Sequence, residues 1–517
     1  MSATWLKDAV FYEIYPQSFY DTNGDGIGDF NGIIEKLDYI RSLGCNALWI
    51  NPCFDSPFKD AGYDVRDYKK VAPRYGTNND LYRLFGEAHA RGIRVLLDLV
   101  PGHTSEEHEW FLQSQKAEEN EYSGRYIWTD FCFQGAKGLG FIGGESERNG
   151  TYILNFFKCQ PALNYGFLTC EESWQDPIDH PDVIATREAL KDIMRFWLDH
   201  GCDGFRVDMA ASLVKNDDEK KTGTSAVWLD VRAMLDAEYP DAAMVSEWSN
   251  PPLALRAGYD MDFYLNHPGC GYTSLMRDYQ KGFAEEGEDN SYFRRDAKDR
   301  DIGRFLQEYE PWYADTKDIG YISMLTCNHD TVRPRRNLSV DELKLAYAFL
   351  FTMPGVPFLY YGDEIGMRYL ELPTKEGGYY RTGSRTPMQW TEGKNLGFSE
   401  GCADALYLPV DPAEDAPTVE AQEKDPNSLL NIVRALLRLR HAREDLQADA
   451  EYETLCAEKD RPFVYRRGSL VLAVNPSGET LEAEVAATVR RPIFAMGEAS
   501  LTDGRITMGP QSFAVFE

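Results

Sequence analysis

Short apolar runs separated by amphipathic stretches organise most of the chain: FYEIYP (11–16), ALWI (47–50), VLLDLV (95–100), GFRVD (204–208), AMVSE (243–247), DFYL (262–265), ISMLTC (322–327) and PFLYY (357–361). Each has the length and composition of a buried strand. Between them, segments such as GIIEKLDYIRSLG and DLYRLFGEAHARG space their apolar residues three and four apart and stop at Gly44 and Gly92, as helices do. Strand alternating with helix predicts a parallel sheet, and eight such strands close into a (β/α)8 TIM barrel. The interval between the third and fourth strands is too long for a connection and is rich in glycine, aromatic and charged residues. It predicts a small inserted domain at 104–175, which leaves 1–103 and 176–449 for the two parts of the barrel. A second irregular stretch covers about 366–426, and the long helix NSLLNIVRALLRLRHARED follows at 427–445. Beyond it the pattern switches to alternation in FVYRRG, LVLAVNP, LEAEVAA and FAVFE, predicting a C-terminal antiparallel β-sandwich domain at 450–517.

Composition narrows the function. With 517 residues, 43% hydrophobic, the chain can bury a large core with smaller attachments. Its 84 acidic residues against 54 basic give a net charge of −30, a field that repels phosphate backbones and anionic membranes, so nucleic acid is not an expected partner. The first residues, MSATWLKDAVFYEIYP, lack a secretory pattern, and no stretch reaches the ~18 apolar residues of a membrane span, so a soluble, cytoplasmic protein is expected. The ten cysteines are scattered without a CxxC pair, which argues against a zinc site and a disulfide framework.

GFRVDMA (204–210) places a cation and a carboxylate on what otherwise reads as a core strand. Residues two apart on a strand project to one side, so Arg206 and Asp208 enter the same space. Barrel enzymes carry their chemistry at the C-terminal ends of the strands. There the chain offers Asp98 and His103, Arg206 and Asp208, Glu247, then Asn328, His329 and Asp330. Cleaving a glycosidic bond takes two carboxyl groups, one protonated to donate to the leaving oxygen and one ionised to face the anomeric carbon. Asp208 and Glu247 fit that division: Arg206 would keep Asp208 ionised, and the apolar setting of VSEW would hold the proton on Glu247.

These motifs resemble those of the α-amylase superfamily, glycoside hydrolase family 13, most of all its α-glucosidase and oligo-1,6-glucosidase branch. The likeness covers nearly the whole chain and rests on DLVPGHTS (98–105), GFRVDMA, VSEWSNP (245–251) and CNHDTVR (327–333), with GYDVRDY, QPALN, YYGDEIGM and RTPMQW in support. The resemblance implies Asp208 as the nucleophile, Glu247 as the acid/base and Asp330 as the carboxylate that holds sugar hydroxyls, with retention of the α anomer. It implies His103, Arg206 and His329 around the glucose that is cleaved, and an Asp64–Arg381 pair capping its non-reducing end. Arg385 and Phe156 are further candidates for that pocket.

The segment DTNGDGIGD (21–29) sets Asp21, Asn23, Asp25 and Asp29 around glycines, giving hard oxygen donors on a flexible turn. It is not an EF-hand, since its twelfth position is Gly32. By resemblance these four side chains and the Ile27 carbonyl would hold a structural Ca2+, or Mg2+, away from the catalytic acids. The chain also departs from the family pattern. Gly102 replaces the Asn that ligates a second calcium in many amylases, so that site is not expected. Met209 and Ala162 replace residues that inform on linkage and on the neighbouring subsite. The expected function is an exo-acting α-glucosidase on short α-glucosides, with no organic cofactor. The alternative is a transglycosylase or isomerase of the trehalose-synthase or sucrose-isomerase type. Relatives that serve as transporter heavy chains have lost the catalytic acids, whereas Asp208, Glu247 and Asp330 are intact here.

Overall fold

The computed structural model describes residues 3–265, 267, 269–281, 284, 285, 288–376, 381–486 and 491–517. Eight barrel strands lie where the apolar runs predict them: β1 Phe11–Ile14, β2 Ala47–Ile50, β3 Arg94–Leu99, β4 Gly204–Val207, β5 Ala243–Ser246, β6 Met261–Phe263, β7 Tyr321–Ser323 and β8 Phe358–Tyr360. All pair in parallel in the order β7-β6-β5-β4-β3-β2-β1-β8. A parallel bridge between Leu325 and Phe358, with Phe358 N–H donating to the Met324 carbonyl at 2.9 Å, joins the two ends. The ring is thereby closed.

Local chemistry fixes the helices that surround it. The helix Phe30–Leu43 starts where the Asp29 side chain accepts from Gly32 N–H and ends at Gly44, whose φ of 104° favours glycine. A Cβ at Gly44 would lie 2.7 Å from the Leu437 Cβ, so this glycine also lets the helix Leu429–Ala442 pack close. The helix Asn78–Ala90 begins with a Thr77/Asp80 capping box and closes just before Gly92.

The barrel interior has two levels because alternate residues of a strand share a face. Below, Phe11 stacks on Phe358 at 4.3 Å and Trp49 on Phe263 at 5.3 Å. Two residues further along their strands, Phe11 gives way to Glu13, Leu96 to Asp98 and Gly204 to Arg206, all buried. An apolar floor thus supports a charged upper level. Asp208 and Glu247 stand one step past their strands, with their N–H groups still bonded to the carbonyls of Leu99 and Val207 at 2.9 and 3.0 Å. Their backbones are held by the barrel while their side chains reach the mouth.

Between β3 and the helix Pro181–Asp199, the chain makes the helix Glu109–Ser114 and an antiparallel hairpin, Phe141–Gly143 with Thr151–Ile153. Ile127, Ile153, Ala162, Phe167 and Trp174 pack as a small core within it. The C-terminal region forms a five-stranded antiparallel sheet facing a three-stranded one, with Val464, Val471 and Phe516 packed against Ile506 and Met508. Leu481–Glu484 of the expected strand LEAEVAA is observed, while Ala487 lies outside the described residues. Strands at Tyr452–Cys456, Pro492–Met496, Ala499–Thr502 and Arg505–Met508 escaped the pattern reading, because half-exposed strands of this length carry little apolar signal. Among the described residues no helix is long and apolar enough to cross a membrane.

Candidate active site

Arg206 is the hub of the upper level. Its side chain is 1% exposed, with Nη1 2.9 Å from Asp98 Oδ1 and 3.0 Å from Asp208 Oδ1, and Nη2 2.9 Å from Glu247 Oε2. Asp98 and Arg206 meet because β3 and β4 pair them in register. The sequence-based expectation gave Arg206 to Asp208 alone; instead three carboxylates share one guanidinium, so its charge is divided. Burial, and then the adjacent Glu247 carboxyl, push Asp208 well above the usual carboxylate range despite Arg206. The setting of Glu247 is also more polar than expected: Oε2 accepts from Met209 N–H at 3.0 Å besides contacting Arg206. Met209 makes that contact from a left-handed backbone, φ 43°, which a non-glycine residue keeps only when its surroundings enforce it.

Asp330 has the opposite surroundings. Its Oδ1 lies 3.0 Å from Arg381 Nη1 and 2.8 Å from Arg385 Nη2, and its Oδ2 lies 3.1 Å from His329 Nε2. Burial alone would raise it, but His329, Arg381 and Arg385 hold it well below the usual carboxylate range. His329 is fully buried and sits between acids, with Nδ1 3.0 Å from Glu13 Oε1. Burial opposes its charge, yet Asp330 and Glu13 outweigh it and raise the ring above its ordinary value. An imidazolium donating to Glu13 and Asp330 leaves the Tyr63 hydroxyl, 2.6 Å from Nε2, free to donate to Asp98 at 3.2 Å.

His103 stays neutral. Burial lowers it to about 4, and the ring is fixed by the Tyr63 carbonyl at 3.0 Å on Nε2 and the Asn155 amide at 2.9 Å on Nδ1. Phe156, half exposed, stands edge-on to it at 6.0 Å. The predicted Asp64–Arg381 pair is not formed. Asp64 is buried and accepts from Ser56 Oγ, Lys59 N–H and Asp60 N–H at 2.9–3.0 Å, because the turn it closes carries left-handed Phe58 and Ala61 and needs an acceptor. Arg381 reaches Asp60 instead, and Asp60 also accepts from Gln160 Nε2 at 2.7 Å. One carboxylate thereby ties the segments after β2 and β8 to the QPALN segment of the insertion. Arg385 is buried beneath Asp330, with Nε donating to the His329 carbonyl at 2.8 Å, so it positions that acid from below.

Around the loop 21–29, Asp21 accepts from the N–H groups of Asn23, Gly24 and Gly26, Asn23 from Asp25 N–H, and Asp25 from Ile27 N–H. Asp29 binds Thr22 and caps the following helix through Gly32 N–H. Among the described residues no three His, Cys, Asp or Glu side chains gather as a metal cluster, so a cation here would draw on Asn23 and the Ile27 carbonyl as well.

With this geometry in place, comparison with known proteins is decisive: the alpha amylase catalytic domain matches residues 13–449. The chain belongs to the alpha-amylase family. This family member is 32% identical to an oligo-1,6-glucosidase of Heyndrickxia coagulans, over 92% of this chain and 93% of that one. It is 34% identical to a trehalose synthase/amylase of Mycolicibacterium smegmatis, over 90% of this chain and 80% of that one. Among solved structures, a mutant isomaltulose synthase from Erwinia rhapontici NX5 in complex with its natural substrate sucrose superimposes with a TM-score of 0.81 at 26% identity, covering 99% of each chain. It is an alpha-amylase family glycoside hydrolase with the family's barrel.

Several residues of the site escaped sequence reasoning. Tyr63 lies within the GYDVRDY motif beside Asp64, and Asp60 stands two residues before it, whereas Glu13, Asn51 and Asn155 carry no local signal. Asn155 occupies the space beside Gly102, where a Cβ would come 3.0 Å from its Nδ2. The departure at 102 thus makes room for the amide that orients His103.

Proposed function

We propose that this alpha-amylase family member is a retaining α-glucoside hydrolase that releases glucose from the non-reducing end of short isomalto- and malto-oligosaccharides. The observation that carries the proposal is the pair of acids on adjacent strands, Asp208 and Glu247, held by the two arms of one buried guanidinium. Two carboxyl groups facing one space can supply the acid and the nucleophile that the first step needs. Glu247 gives its proton to the glycosidic oxygen as Asp208 attacks the anomeric carbon to form a glucosyl ester, and water then attacks that ester with Glu247 as base. Asp330, kept ionised by its cations, accepts from sugar hydroxyls, and the Asp60–Arg381–Asp330 chain closes the end of the site beyond the glucose. A second reading is favoured by the relatives named for synthases, in which a sugar rather than water receives the glucosyl group from the same intermediate.

The test is proton NMR of maltose, isomaltose and sucrose digests. From sucrose or nitrophenyl α-glucoside, whose leaving groups contribute no glucose, α-glucose as the first product supports hydrolysis with retention and β-glucose overturns both readings; a rearranged disaccharide from any of the sugars supports the second. We also propose a structural Ca2+ or Mg2+ at Asp21, Asn23, Asp25, Ile27 and Asp29, whose all-oxygen donor set suits a hard cation. Adding Ca2+ or Mg2+ to chelator-treated protein should raise the melting temperature, and no shift with either would end that proposal.

A further inference from the structure

Asp262 on β6 is fully buried, touches none of the groups at the mouth described above, and concentrates its bonds on one short segment. Its Oδ1 accepts from Ser246 Oγ at 2.6 Å, Trp248 N–H at 3.2 Å and Ser249 N–H at 3.3 Å, and its Oδ2 from Asn250 N–H at 2.8 Å. Those donors bracket Glu247. The β5–β6 ladder sets Asp262 opposite Ser246, so the two side chains share a face while Glu247, the next residue, turns to the other.

The segment needs such an anchor. Ser249 holds a left-handed backbone with φ 57°, a conformation that serine does not keep unaided, and Asn250 begins the helix Pro251–Arg256 directly afterwards. Two consecutive N–H groups turned away from the sheet would be orphaned without an acceptor, and one carboxylate satisfies them together with the third. On the mouth side Met209 N–H and Arg206 hold the Glu247 carboxyl, and on the far side Asp262 holds its backbone.

We propose that Asp262 is a positioning residue for Glu247, fixing the turn from which that side chain meets the glycosidic oxygen. The proposal rests on Glu247 being the acid/base. Proton donation matters for a basic leaving group such as a sugar alkoxide and little for an activated phenolate, so the loss should depend on the leaving group.

The experiment compares kcat/KM, which reports formation of the glucosyl ester, on maltose and on dinitrophenyl α-glucoside for Asp262→Asn, Ser246→Ala and Glu247→Gln, with melting temperatures for each. Asp262→Asn is expected to slow maltose about 10- to 100-fold, part of the roughly 10²–10⁴ that proton transfer contributes, while changing the formation of the glucosyl ester from the dinitrophenyl glucoside less than about 2-fold. Ser246→Ala, which removes one of the four bonds and leaves the backbone contacts, should show the same selectivity more weakly. If Asp262→Asn fails to fold, the Ser246→Ala comparison carries the test. Equal losses on both substrates, or no loss on either, overturn the proposal. If Glu247→Gln itself shows no dependence on leaving group, the acid/base reading has failed instead.

Discussion

The two sides of the mouth solve opposite electrostatic problems with the same residue types. On the β3–β5 side three acids, Asp98, Asp208 and Glu247, share the cation Arg206. On the β7 side Asp330 is met by His329, Arg381 and Arg385, which in turn contact Glu13, Asp60 and Glu376. Surplus negative charge in a buried space retains a proton, while surplus positive charge expels one. The lesson is that ionisation follows from the local balance of charge; a side chain's ordinary tendency is only the starting point. One side holds Asp208 towards its protonated form, and the other holds Asp330 towards its ionised form.

The largest test of this contrast is Asp208→Asn, expected to lower kcat by at least ~10⁴-fold, the scale seen when a covalent enzyme loses its nucleophile. The same change relieves crowding among the acids, so the melting temperature should hold or rise; a fall would show that the acid side is not overcharged. Next come the stability effects. Arg206→Met strands three buried acids and should cost about 3–5 kcal/mol in denaturant unfolding, if the protein folds. Asp330→Asn removes the carboxylate that three cations share and should cost less, about 1–3 kcal/mol, because Glu13 and Asp60 still pair with His329 and Arg381 and because Asp330 is 30% exposed, so water screens part of the repulsion.

The pH dependence of those variants separates the sides further. Asp208 has its folded value raised, so its contribution to stability is present at low pH and is lost as pH rises through that folded value. Asp330 has its folded value depressed, so its contribution is present above its unfolded value of about 3.9 and is lost as pH falls. Asp208→Asn should therefore flatten the loss of stability as pH rises above the unfolded carboxylate value, and Asp330→Asn the loss as pH falls below it; exchange of these behaviours would break the contrast. The smallest effect belongs to the roof. A double-mutant cycle of Asp60→Ala and Arg381→Ala on KM should give a coupling of about 0.5–3 kcal/mol, and additive losses would remove Asp60 from the site.

Much of this was legible before any coordinates. All eight barrel strands and the charged strand ends follow from apolar runs, because a strand buried on both faces must be almost wholly apolar and any charge within it stands out. GFRVDMA announced Arg206 and Asp208 in this way. Glu13 on β1 is equally buried and equally charged, but on a strand reading FYEI it resembles one polar step in an ordinary alternation. Asp64 misled for a related reason: its motif predicted a partner, whereas the turn around it consumed the carboxylate and left Arg381 to Asp60.

The order and spacing of residues along the chain determined the barrel and marked the strand ends that carry Asp208, Glu247 and Asp330, because periodicity and motif are properties of neighbours in sequence. Which acid meets which cation was decided only by the closed ring. Pairs such as Arg381 and Asp60, or His329 and Glu13, stand more than three hundred residues apart. Electrostatic energy depends on separation in space and on exclusion of water, and neither exists until the chain has folded.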